Sequence, residues 1–465
     1  MSDKRTGLLL PEGEYTAVDT DLFARREAAR GVHPATFEQL RPSKERLAAA
    51  EATFLESGCQ LDIDLRVDPV LVDMAEIHGR IERLRSHKSQ LIFDNDTPQD
   101  IKQAYRWSVN ENIANLLMIQ ASAKGDMRTF RQWNRFVYGE PDEDICRAAL
   151  DWICNDAEMI AAGDNIQAAE VALEVLERFG EKRGDRELLI PDPETFEAVR
   201  NDHFRPLGFY ALLLAGTNLP HNENITPANG DASLQHIITN NLQSTYKVAD
   251  APGVTWSLAH DTEEARRPTN HNLPYKRYVG LGPGHEVGSH LLEKMNGMRG
   301  PILLASTGLD RTDLGNEGRA IIREQVMYDT FEEFAELLRW RDILRRDIAV
   351  ALGEGVCEER PQRFSEVYRA INMIDRMYAL RDNVPARAHA RSWALVTDTL
   401  MGTDGKGGAN FRRKVYLEGN VGCWRTAQQS GPRAIGDGDL GKYDINNPRH
   451  LSLLRSHGLL PVPDA

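Results

Sequence analysis

The sequence predicts a helix-dominated α+β fold, and three observations carry that expectation. Between Pro42 and about Gly180, apolar residues recur at spacings of three and four, the mark of amphipathic helices. From Phe209 to Leu281 the texture changes to short apolar or alternating runs cut by Pro, Gly and Asn, which suit strands and loops. From Phe331 to Leu380 the long amphipathic pattern returns. We therefore expect an N-terminal, mostly helical region over residues 1–180 and a second unit over 181–465. The charged, Gly-containing stretch Glu181 to Leu188 is the connector.

Taken in order, residues 1 to about 30 mix charge and turn residues and read as loosely structured. Pro42-Ser43-Lys44-Glu45 opens a segment of good helix formers. Val70, Met74, Ile77, Ile81 and Leu84 form one apolar helical stripe. Asp96 or Thr97 is placed to cap the next helix, through Ile101, Tyr105, Trp107, Ile113 and Leu117. Two more helices follow, about Ala148 to Ala162 and Ile166 to Phe179. Phe209 to Leu214, Gln235 to Thr239 and Tyr278 to Leu281 are the strand or loop candidates. Phe331 to Leu352 and Phe364 to Leu380 read as helices. The stretch from Gly402, rich in Gly, Asn and Pro, reads as irregular, with a last short helix near Leu451.

Composition narrows the function. The chain has 465 residues, with 56 Lys plus Arg against 70 Asp plus Glu, a net charge of −14. A general nucleic-acid binder needs cationic surface to displace counterions from phosphates, so none is expected. No apolar run approaches the ~18 residues of a membrane span, and Leu8-Leu9-Leu10 is too short for a signal-peptide core. The five cysteines (Cys59, Cys146, Cys154, Cys357, Cys423) are scattered and form no C-x-x-C, which suits reduced thiols in a cytoplasmic protein.

The chemistry concentrates in Gly284 to Asn296, GHEVGSHLLEKMN, which contains H-E-x-x-x-H. Zinc takes neutral imidazole nitrogens and a carboxylate, with one position left open for water. A carboxylate beside the metal that is not a ligand can then take the water's proton. The familiar H-E-x-x-H motif sets its histidines one helical turn apart. Here His285 and His290 are five residues apart, about 140° around an ideal α-helix. A π-type turn, laddered i to i+5, would bring them back toward one face, and Gly288 is placed to allow it. Glu317, in Leu314-Gly315-Asn316-Glu317-Gly318-Arg319-Ala320, is the candidate third ligand, and Glu286 the candidate base. The bland alternative is a core histidine pair and a glutamate at a helix start.

GHEVGSHLLEKMNG resembles the H-E-[IV]-G-[ST]-H…N-G signature of the tyrosine carboxypeptidase family, whose animal members are microtubule-associated and whose bacterial members are known as QEGLA-motif proteins. Asn316-Glu317-Gly318-Arg319-Ala320 resembles the second family motif, with Gly308-Leu309 before it. Phe411 to Gly419 (FRRKVYLEG) resembles the later F-x-K-D-x-V-Y-L-E-G block, one residue shorter. Gly441-Lys442 resembles a terminal G-K element, and Phe130 with Tyr138-Gly139-Glu140-Pro141 an N-terminal one. The resemblance implies a zincin-like metallopeptidase core in the second unit, with zinc bound by His285, His290 and Glu317. It implies Glu286 as general base in the hydrolysis of a C-terminal peptide bond of a peptide or protein tail. Two departures bear on specificity. Arg319 stands where the family has an apolar residue, and Asp398 to Gly402 lacks both arginines of the R-x-x-R-G element that precedes the Y-L-E-G block in many members.

A carboxypeptidase also needs a cation for the substrate carboxylate, ideally a guanidinium. Lys414 and Tyr416 are the expected substrate-binding residues, with Arg319 as an addition peculiar to this chain; Arg323, Arg412 and Arg413 lie near them in sequence. His260-Asp261 and Asn270-His271-Asn272 are candidates to line the cleft. Two rival readings remain: a zinc endopeptidase with an open cleft, and a regulatory or binding protein that keeps a metal for stability.

Overall fold

The computed structural model describes residues 7–31, 39–251 and 256–461. Side-chain caps define many helix starts. Ser43 accepts the Arg46 N–H at the head of Lys44–Glu56, and Asp73 accepts the N–H groups of Ala75 and Glu76 at the head of Met74–Gln90. Asn165 caps Ile166–Phe179, the helix expected there. Asp142 takes the N–H groups of Asp144 and Ile145, so the preceding helix, Glu143–Ala161, starts earlier than its apolar pattern suggested.

Several expectations are corrected. Val70 does not join the helical stripe: it lies in the 3₁₀ turn Pro69–Leu71, 90% exposed. Neither Asp96 nor Thr97 caps Gln99–Lys124, because Pro98 holds that position and the Asp94 carboxylate takes the Asp96 and Thr97 N–H groups instead. Part of the N-terminal stretch is ordered as the helix Thr20–Arg30, with Leu22 and Arg26 buried; residues 1–6 lie outside the described residues. The expected helix Phe331 to Leu352 is two, Phe331–Ala335 and Leu338–Glu354, separated by the extended backbone of Leu337.

The three strand or loop candidates are helical. Phe209–Leu213 is a short helix. Gln235 to Thr239 falls where Pro227–His236 runs into a π turn, Ile237–Asn241. Tyr278 to Leu281 ends the helix Tyr275–Val279 and enters a second π segment, Gly280–Leu291. Short runs buried all round, such as Leu234, Ile237, Ile238, Tyr278 and Val279, have no periodicity to separate strand from helix. The strands lie between them. β1 (Asn224–Ile225) pairs antiparallel with β5 (Leu273–Pro274). β4 (Glu264–Pro268) is central in a three-stranded sheet, parallel to β2 (Lys247–Ala251) and antiparallel to β3 (Ser257–Ala259). The tail also departs from expectation: Val415–Ser430 is a helix, and its glycines serve close packing rather than a loop. The last short helix is present at Pro448–Ser456.

Residues on both sides of the expected boundary at 180 share one hydrophobic core, from Leu8 to Leu460, and a smaller cluster sits mainly among the N-terminal helices. Buried polar bonds join the two sides. The Asp19 carboxylate accepts the N–H groups of Leu303 and Leu304 and the Tyr105 hydroxyl. Asn134 donates to the Ala409 carbonyl and accepts the Phe411 N–H. Among the described residues no helix is long and apolar enough to cross a membrane.

Candidate metal centre

The H-E-x-x-x-H motif lies in the π segment Gly280–Leu291, which passes directly into the α-helix Leu292–Arg299. The i to i+5 ladder turns residues five apart onto one face, so the His285 and His290 rings meet, with centroids 5.2 Å apart and planes at 79°. The Ser289 hydroxyl donates to the Gly284 carbonyl, also five residues back. Glycine is required where the neighbours come close. A Cβ at Gly288 would stand 2.6 Å from Phe209 and 2.7 Å from the Pro283 carbonyl oxygen; one at Gly284 would stand 2.6 Å from the Tyr210 hydroxyl. The fully buried Arg323 braces this wide turn, donating to the Gly288 carbonyl at 2.5 Å and the Ser289 hydroxyl at 2.9 Å.

Glu317 comes from the helix Asp313–Gln325, which packs on Val415–Ser430 through the facing glycines Gly318 and Gly419. Its carboxylate lies 3.5 Å from His285 Nε2 and 3.9 Å from His290 Nε2. One donor atom from each of His285, His290 and Glu317 falls within 4.8 Å of the others, so all three sequence candidates converge.

Neighbours orient the donors. Glu324, two helical turns beyond Glu317, takes His285 Nδ1 at 2.7 Å and is gripped through both oxygens by Arg339. Arg412 stands 3.9 Å from Glu317 and 3.4 Å from Asp313. Burial by itself would lower the His285 pKa, but hydrogen bonds with Glu317 and Glu324 outweigh it and lift it to about 10. Burial carries His290 the other way, to about 3. Glu317 sits well below the usual carboxylate range: burial opposes this, and the His285 hydrogen bond with the neighbouring imidazoles overrides it. Two imidazoles and one carboxylate form a donor set that suits zinc, and a carboxylate-backed histidine is the usual outer support. The residues present fit the metal.

Glu286 follows His285 in the chain and is partly accessible, and among the described residues no hydrogen bond reaches its carboxylate. Burial raises its pKa to about 7, helped by Glu317 and Glu324 and opposed by His285. A carboxylate poised there can exchange protons near neutral pH.

The expected substrate-binding residues fare differently. Arg319 is completely buried, paired with Glu293 and with Asp439, so its charge is neutralised in the interior and not presented to a ligand. Lys414 is 2% exposed, paired with Glu418 and bonded to the Glu140 carbonyl, which ties the helix Val415–Ser430 to the turn before Glu143–Ala161. Tyr416 is half-buried, with the Arg339 and Arg346 guanidinium groups 5.9 and 5.3 Å from its ring centroid, and stays near the centre through Arg339. His271 is a packed core residue between Trp256 and Tyr278. His260 accepts or donates at the Tyr246 hydroxyl, which also receives Lys294. Sequence reasoning missed Glu324 and Arg339. The spacing of seven from Glu317, which keeps Glu324 on the same helical face, was a usable signal; nothing local marks Arg339.

No family model matches the chain, and comparison with curated proteins and with solved structures finds no match to it.

Proposed function

We propose that this chain is a zinc-dependent peptidase acting as a carboxypeptidase on a peptide or protein tail. The observation that carries the reading is the convergence of His285, His290 and Glu317, with the adjoining Glu286 carboxylate left without a hydrogen-bond partner among the described residues. Bound to His285, His290 and Glu317, zinc would supply Lewis acidity, polarising the scissile carbonyl and acidifying water. Glu286 takes the proton of the attacking water and returns it to the leaving amine. Glu324, clamped by Arg339, fixes the His285 tautomer and ring plane, and Arg412 steadies Glu317. The motif resemblance supplies the exopeptidase direction.

The test is mass spectrometry of zinc-loaded protein with peptides that differ only in the last residue. Loss of one C-terminal residue is expected, absent in Glu286→Gln, with zinc still bound at one per chain. Internal cuts that are indifferent to C-terminal amidation would make it an endopeptidase. Full activity in Glu286→Gln would sink the mechanism.

A further inference from the structure

The expected cations are taken up inside the protein: Arg319 and Arg323 are buried in pairs with Asp439, and Lys414 is paired with Glu418; Arg339, close by, is engaged by Glu324. Arg412 already faces Asp313 and Glu317. Lys442 differs. Its backbone is pinned on both sides, the N–H donating to the Ala305 carbonyl at 2.6 Å and the carbonyl accepting the Leu309 N–H at 3.1 Å. Its stem lies along Gly308, whose φ of +114° excludes most side chains and where a Cβ would sit 3.4 Å from Lys442 Cδ.

The segment around Lys442 runs beside the helix that carries Glu317. Asp439 pairs with Arg319 and Arg323, and Asp444 packs against Gly315. Those anchors bracket Glu317, and Lys442 falls between them. On the Glu317 helix, Arg319 is buried and paired, whereas the half-buried Lys442 ammonium has no hydrogen bond or ion pair among the described residues.

A substrate's terminal carboxylate trails the scissile carbonyl by only about one residue, ~3.5 Å of chain, so its partner must stand beside the metal donors. We propose that Lys442 binds the C-terminal carboxylate of the substrate and is the residue that makes the site an exopeptidase. This rests on the carboxypeptidase reading above and deepens it. An ammonium on a flexible stem is a point-charge partner, so it selects for the terminal carboxylate and leaves the side chain to other contacts.

The experiment uses full-length, zinc-loaded Glu286→Gln protein, which binds without turnover, and fluorescently labelled hexapeptides randomised at the last residue, made as free acids and as amides. With Lys442 present, fluorescence anisotropy should show the acids binding about 10- to 100-fold tighter than the amides, the worth of one charged hydrogen bond. Lys442→Gln should erase that preference at unchanged zinc content and melting temperature, and Lys442→Arg should keep most of it. A preference that survives Lys442→Gln, or no preference with Lys442 in place, overturns the assignment. A Lys442-dependent preference in a protein whose Glu286 form cleaves nothing would uphold the carboxylate site while overturning the peptidase reading.

Discussion

The His285 ring is held between two carboxylates, and the nearer one, Glu324, is itself fixed by the two-pronged Arg339. An imidazole so oriented presents Nε2 to the centre without searching for its rotamer. Glu324→Gln keeps the shape but removes the charge that favours Nδ1–H. We expect zinc affinity to fall about 10- to 100-fold, measured by chelator competition, with the fold unchanged by circular dichroism. Affinity equal to the parent would mean that Glu324 only fills space. The same scale explains why the donors were legible and the substrate residues were not. His285, His290 and Glu317 are chemically suited to metal wherever they meet. An arginine is a ligand grip or a buried strut according to its partners, and those of Arg319, Glu293 and Asp439, lie far off in sequence.

Among the elements, the π segment Gly280–Leu291 decides most. The spacing of five between the histidines demanded such a turn and the structure has one, because Gly282, Gly284 and Gly288 let Trp256, Tyr210 and Phe209 press against it. Gly288→Ala would place a methyl against the Pro283 carbonyl oxygen and two side chains, and overpacking of this kind costs about 1–3 kcal/mol. We expect a lower melting temperature together with weaker zinc binding. A variant that melts and binds like the parent would show that the wide turn does not depend on this contact. Elsewhere, the helix starts capped by Ser43 and Asn165 fall where the sequence reading placed them, whereas the one capped by Asp142 lies earlier. The short buried runs near Phe209, Gln235 and Tyr278 did not, since a run apolar on every side has lost the period that distinguishes strand from helix.

For the molecule as a whole, buried hydrogen bonds join elements that a division at residue 180 would separate. Tyr105, from the N-terminal helices, shares the Asp19 carboxylate with Leu303 and Leu304, just ahead of the Glu317 helix. Metal binding should therefore be felt along the entire chain. Zinc at a hundred times its dissociation constant would add about 2.7 kcal/mol to the folded state. Tryptophans stand on both sides of the boundary, Trp107, Trp133 and Trp152 before it and Trp256, Trp340, Trp393 and Trp424 after. Their fluorescence should report one thermal transition that moves down with chelator and recovers with zinc. Two transitions, only one of them metal-sensitive, would show that the halves fold apart.

The sequence by itself determined the helical majority, several helix starts, three candidate metal donors with a carboxylate among them, and the need for a π turn between the histidines. Each depends on residue type and on spacing within a few turns of chain. Only the tertiary structure decided which charges are offered and which are neutralised. Arg319, Arg323 and Lys414 are paired inside, Arg339 holds the Glu324 that reaches the histidine, and the Lys442 ammonium has no hydrogen bond or ion pair among the described residues. A charge's role is set by what surrounds it in space, and for these side chains much of that surrounding comes from elements distant along the chain.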